Sequence, residues 1–156
     1  MQVHSLDFND FQEDSYTLIG VHTTLEDYKL AYLLNQNLRT NFNRADYNLD
    51  FESEKNNASF SVYNYTNQQY DFDWFLIANS FKQENIKSTN EVLFDSEITT
   101  YLIPEKKKVD YFIKIIGDVE YSYISKTIDA IQNISQVITS YTIDSTTLKS
   151  KDFLIF

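Results

Sequence analysis

The sequence predicts an α+β domain: one mixed, mostly antiparallel sheet of about seven or eight strands with two helices packed on one face. Three observations point there. A strand–helix–strand pattern opens the chain, a second closes it, and the stretch between alternates with the period of two that marks a half-buried strand. The 156 residues suit one domain, and 42% hydrophobic residues with 16% aromatics can fill its core.

Residues 1–14, with Asp7, Asp10, Glu13 and Asp14, read as an acidic arm ahead of a domain spanning 15–156. Tyr16 to His22 is apolar on both faces and fits the interior of a sheet. Thr23 to Leu38 reads as a helix. Thr23 and Glu26 have capping-box spacing, and Leu30, Leu33, Leu34 and Leu38 share one face. Ala45, Tyr47, Leu49 and Phe51 then alternate with polar residues. Lys55 to Asn57 supplies a turn, and Ala58, Phe60 and Val62 return. Asn67 to Gln69 connects to a more buried strand, Phe72 to Ala78, which completes an antiparallel meander. Lys82 to Asn90 reads as a polar loop, Val92 to Phe94 as a short apolar plug, and strand pattern resumes at Ile98, Thr100 and Leu102 until Pro104.

The last third repeats the opening design. Tyr111 to Ile116 is a strand broken by Gly117. Val119 to Ser135 carries Ile124, Ile128, Ile131 and Ile134 at helical spacing, and Val137, Thr139, Tyr141 and Ile143 form the returning strand. In each strand–helix–strand unit a helix of four turns carries the chain back, so its flanking strands are expected to be parallel with a right-handed crossover. Phe153 to Phe156 reads as a terminal paired strand. The sheet face away from the helices is expected to be uncovered and rich in Tyr, Ser, Thr and Asn.

Composition narrows the function. Asp plus Glu is 23 against 13 for Lys plus Arg, a formal net charge of −10, which repels phosphate backbones and argues against a nucleic-acid partner. No cysteine is present, so disulfides, thiolate metal sites and cysteine nucleophiles are excluded. No apolar run reaches the roughly 20 residues of a membrane-spanning helix, and the N-terminus has no secretory pattern; a cytoplasmic protein is expected, with no membrane partner. Two glycines leave no phosphate-cradling loop, and no cofactor or metal site is expected.

The segment Ile103-Pro104-Glu105-Lys-Lys-Lys-Val109-Asp110-Tyr111 resembles the signature of the bacterial IPExxxVDY family, with all of its fixed letters present. Glu26 to Asn35 and the tail from Leu148 to Phe156 are also similar to that family. The resemblance implies a bacterial origin and carries over no catalytic residue.

Glu105, Asp110 and Tyr111 are the first candidates for a site, since carboxylates serve as acid, base or metal ligand. A structural corner competes with that reading. Pro104 holds Ile103 extended, Val109 is apolar, and Asp110 before a strand is placed to accept backbone N–H groups. Glu105 is expected to pair with Lys106 to Lys108 or with a helix end. His4 and His22 lack the partners of a triad, so no catalytic residue is assigned. The basic run Lys106 to Lys108 reads as a solvated turn.

The surplus of rings, 12 Tyr and 12 Phe, is the most unusual feature. Tyr63, Tyr65, Tyr70, Tyr121 and Tyr123 are candidates for an interaction surface, because tyrosine offers large contact area at low entropy cost. The leading reading is a non-enzymatic module that binds a protein partner or forms a homo-oligomer, through a Tyr-rich sheet face or a sheet edge. The alternatives are a small-ligand regulatory domain resembling ACT-type sensors in outline, and a hydrolase using Glu105 and Asp110.

Overall fold

The computed structural model describes residues 15–52, 57–89 and 92–154. The expected arm 1–14 with His4, residues 55 and 56 of the expected turn, and residues 155 and 156 lie outside them.

Eight strands and two α-helices follow one another as β1 (Tyr16–Thr23), α1 (Asp27–Leu38), β2 (Asn43–Glu52), β3 (Asn57–Asn67), β4 (Phe72–Ala78), β5 (Ser80–Thr89), β6 (Val92–Tyr101), β7 (Tyr111–Ile116), α2 (Tyr121–Gln132) and β8 (Val137–Ile143). Six strands form one sheet in the order β2-β3-β4-β7-β1-β8, and β5 and β6 form a separate two-stranded ribbon. The meander β2-β3-β4 forms as the alternation predicts. Every ladder is antiparallel, so β7 and β8 run parallel to each other only with β1 between them. By the same count β1 and β2 are parallel, with β3, β4 and β7 between them. The four strands β8-β1-β7-β4 with α1 and α2 make a split β-α-β arrangement, which β2 and β3 extend.

Both helices lie on one face. Leu30, Ala31 and Leu34 of α1 and Ile124 and Ile131 of α2 close over Ile19, Val21, Trp74, Leu76, Ile113 and Ile115. Side chains alternate along each strand, so Leu18, Phe60, Val62, Ile77 and Phe112 form a second apolar layer on the opposite face. That face is covered, contrary to the expectation of an open, polar one. Leu102, Ile103 and Val109 pack into this layer together with Leu148 and Leu154, with Phe81 of β5 against Phe60. Fully burying each such side chain contributes about 1.5–3 kcal/mol. Gly20 permits the close approach, since a Cβ there would sit 2.8 Å from Ile143 Cδ1.

Three local expectations are corrected. Residues 82–89 are strand, not loop: they pair along β6 from Ser80↔Tyr101 to Thr89↔Val92, and a ladder this long organises a sequence without alternation. Of the expected terminal strand, Phe153 and Leu154 instead lie in a 3₁₀ turn at Lys151–Leu154 that buries Leu154, whose carbonyl accepts from the buried Lys114 ammonium. Thr23 is not a helix cap. It ends β1, and its hydroxyl donates to the Gln136 carbonyl and accepts from the Leu25 N–H, while Glu26 precedes the helix without a side-chain cap.

Candidate functional site

The IPExxxVDY segment folds into a corner between β6 and β7, and its hub is a residue the sequence did not single out. Asn79, fully buried between β4 and β5, donates from Nδ2 to the Lys106 carbonyl at 2.8 Å and the Val109 carbonyl at 2.9 Å. Its Oδ1 accepts from the Ile103 N–H at 2.8 Å, and its own N–H donates to the Asp110 carbonyl. Pro104 opens a one-turn 3₁₀ helix, Pro104–Lys106, which the Pro ring favours at its first position. Ile103 and Val109 enter the core.

The polar letters of the signature are tied to separate segments. Asp110 accepts from the Thr23 N–H through Oδ2 and donates its own N–H to the Val21 carbonyl. Tyr111 donates its hydroxyl to the Leu25 carbonyl at 2.6 Å; burial and the nearby Asp27 carboxylate push its pKa well above the usual tyrosine value. Glu105 pairs with neither a lysine nor an α-helix end. It accepts from the Ser150 N–H at 2.7 Å and the Ser150 hydroxyl at 3.0 Å, which fastens the C-terminal tail. Burial pushes the Glu105 carboxyl up, and these hydrogen bonds outweigh it and hold the group below the usual carboxylate value. His22 Nε2 lies 2.8 Å from the Tyr141 hydroxyl. His22, Glu105 and Asp110 thus each engage a different part of the chain.

The candidate tyrosines divide. Tyr63 packs against the helix-side core with the Arg44 guanidinium 5.8 Å from its ring centre. Tyr121 stands at the start of α2, 85% exposed and apart from the others. Tyr65, Tyr70 and Tyr123 come together with Phe72, Trp74 and Phe42 at one end of the sheet. Tyr70 stacks on Phe72 at 5.7 Å and 17°, and Tyr123 meets both edge-on at 5.8 and 5.6 Å. Tyr123 and Tyr65 in turn lean on the buried Trp74 at 6.3 and 5.7 Å.

Two backbone features hold this cluster. Asn67 Oδ1 accepts from the N–H groups of Gln69 and Tyr70, an Asx turn that ends in Asp71 at φ 57° and aims Tyr70 outward. Gly117, at φ 140°, lies flat against Phe72; a Cβ there would sit 2.5 Å from the ring. The rings line an open hollow of about 440 Å³ together with Asp118, Glu120, Ser122 and Lys126. Neither Phe72 nor Gly117 was marked as a site residue in the sequence. A glycine closing an apolar strand was the available signal.

A second hollow, about 750 Å³ and polar, lies where β2 begins beside the end of β3, lined by Arg39, Asn41, Asn64, Gln69 and Asp73 among others. Among the described residues no helix is long and apolar enough to cross a membrane, and no three His, Asp or Glu side chains gather as metal ligands. No protein-family model, no curated protein and no solved structure matches this chain.

Proposed function

We propose that the protein is a non-enzymatic interaction module that holds a basic segment of a partner protein in the hollow walled by Tyr70, Phe72 and Tyr123. The observation that carries this reading is the convergence of those rings on solvent through a strained turn at Asp71 and a glycine at 117. Positive φ at a non-glycine residue costs about 1–3 kcal/mol and persists where the surrounding structure enforces it. Two carboxylates against the one ammonium of Lys126 leave the lining net negative, and with the aromatic rings this suits a lysine or arginine side chain, which gains from the ring face and from Asp118 and Glu120. The chain's charge of −10 favours approach of such a partner. A bacterial setting, as the IPExxxVDY resemblance implies, and a cytoplasmic one, expected from the sequence pattern, belong to the same proposal.

Affinity purification from native cells tests it, with Tyr70→Ala and Tyr123→Ala as paired controls. The wild type is expected to retain a partner that both variants lose and that Asp118→Asn/Glu120→Gln holds more weakly, with a smaller dependence on salt. Partner recovery unchanged in all three variants would overturn the proposal.

The split β-α-β arrangement and the polar hollow beside β2 favour, as second reading, a regulatory domain that binds a small ligand and resembles ACT-type sensors. Thermal-shift screening separates the two, because a ligand at 100 times its Kd stabilises by about 2.7 kcal/mol. The hydrolase reading gains no support, since Glu105 and Asp110 accept main-chain N–H groups from segments at opposite ends of the chain.

A further inference from the structure

β3 outruns its neighbour at one end. Its ladder with β2 begins at Asn43↔Asn64, whereas its ladder with β4 continues through Tyr65, Thr66 and Asn67. The polar hollow of about 750 Å³ lies at this notch. Tyr65 belongs to the helix-side layer and Phe75 to the opposite one, so the hollow wraps around the end of the sheet edge.

Two asparagines fix the segments that line it. Asn35 holds the loop between α1 and β2: its Oδ1 accepts from the Thr40 hydroxyl at 2.9 Å and the Phe42 N–H at 2.7 Å, and its Nδ2 donates to the Phe42 carbonyl at 3.1 Å. Arg39, which ends α1, stands in that loop at φ 54°, a left-handed conformation that a non-glycine residue keeps only where its surroundings enforce it. In the other segment the Asx turn at Asn67 sets the positions of Gln68 and Gln69. A lining held in this way costs a ligand little ordering on binding.

The lining is rich in carboxamides, from Asn41, Asn43, Asn64, Asn67, Gln68 and Gln69, with Arg39 as its one cation and Asp73 as its one carboxylate. Among the described residues the side chains of Arg39, Asn41, Asn64, Gln68 and Gln69 make no hydrogen bond or ion pair, while Asp73 already accepts from the Thr66 hydroxyl at 2.7 Å. The two charges cancel, and a chain of charge −10 disfavours an anion. A carboxamide both donates and accepts, as each hydroxyl of a sugar does. Tyr65 and Phe75, both half-buried, add aromatic carbon against which the C–H face of a sugar ring can pack. We infer that the hollow binds a neutral saccharide, its hydroxyls held by Arg39, Asn41, Asn64, Gln68 and Gln69. A saccharide is one small ligand among several, so the assignment rests on the small-ligand reading of the same hollow and adds the ligand's chemistry to it.

Amide NMR of the full chain, titrated in turn with glucose, galactose, N-acetylglucosamine, maltose and cellobiose, tests the inference. At least one sugar is expected to move the side-chain amide resonances of Asn64, Gln68 and Gln69 saturably. Asn64→Ala is expected to weaken that binding about tenfold, the effect of losing one or two neutral hydrogen bonds. Arg39→Gly is expected to weaken it too while melting no lower than the wild type, because glycine accepts the positive φ, so its loss of binding is not a loss of fold. No saturable shift with any of these sugars would overturn the inference, as would binding that both substitutions leave unchanged. Free glutamine or inorganic phosphate moving these resonances where the sugars do not would overturn the saccharide and leave the small-ligand reading standing. Silence from sugars, glutamine and phosphate alike would remove both.

Discussion

The main-chain N–H of Thr23 donates to Oδ2 of Asp110 across 2.9 Å, joining points 87 residues apart in sequence. Asp110 returns its own N–H to the Val21 carbonyl, so the end of β1 and the start of β7 are latched in both directions where the chain leaves the sheet for α1. A carboxylate that sequence reading offers to chemistry is thereby a fastening between strands.

Asp110→Ala is expected to destabilise the fold by about 1–2 kcal/mol, the cost of leaving a part-buried N–H without its acceptor. Asp110→Asn, which keeps an oxygen in place, is expected to lose less. The midpoints of urea unfolding curves check both values.

Asn79 carries a larger load. Asn79→Ala removes three side-chain hydrogen bonds at once and leaves the Ile103 N–H and the Val109 carbonyl unsatisfied. A loss of about 3–5 kcal/mol is expected, among the largest for any single substitution. Asn79→Asp is expected to fare little better, because it retains the acceptor but loses both donors and buries a charge. Chemical denaturation of the two variants measures this.

Gly117→Ala places a methyl group against the Phe72 ring at a φ of 140°. Strain and overlap together are expected to cost about 2–4 kcal/mol. The ring must also shift, so NMR shifts of Tyr70 and Tyr123 are expected to move with those of Phe72. Ring shifts confined to Phe72 would show that the aromatic wall is not one unit.

The Glu105 carboxyl is held below its ordinary value by Ser150, so its contribution is present above the unfolded-state value, near pH 4.3, and fades as pH falls through the lower folded value. Acidification is expected to release the tail at Ser150 before the sheet unfolds. The Ser150 amide resonance followed by pH titration reports it, and Glu105→Gln is expected to abolish that titration step.

Much of the fold was legible because burial imposes a period. The spacing of Leu30 and Leu34, and of Ile124 and Ile131, marks two helices, and Phe60 and Val62 mark a strand with one face inward. β5 left no such mark, since its strand geometry comes from pairing with β6. In the tail, Phe153 and Leu154 are both apolar, yet one is 43% exposed and the other fully buried; a 3₁₀ turn rather than a strand decides which.

The candidate site was legible only in its ingredients. Tyr65, Tyr70 and Tyr123 were marked as rings in excess of what periodicity explains, and Tyr63 and Tyr121 were marked with them on equal grounds. The structure separates the groups because Tyr70 sits on a turn between strands and Tyr123 on a helix, and only the packing of α2 on the sheet brings them to Phe72.

Amino-acid order by itself determined the two helices, the meander, the acidic charge and the absence of thiol chemistry, since these depend on residue type and local spacing. Tertiary structure alone decided that the second sheet face is covered and that Glu105 and Asp110 are fasteners. Those outcomes depend on contacts between residues far apart in sequence, 87 positions in the case of Thr23 and Asp110, and such contacts leave no periodic trace in the chain.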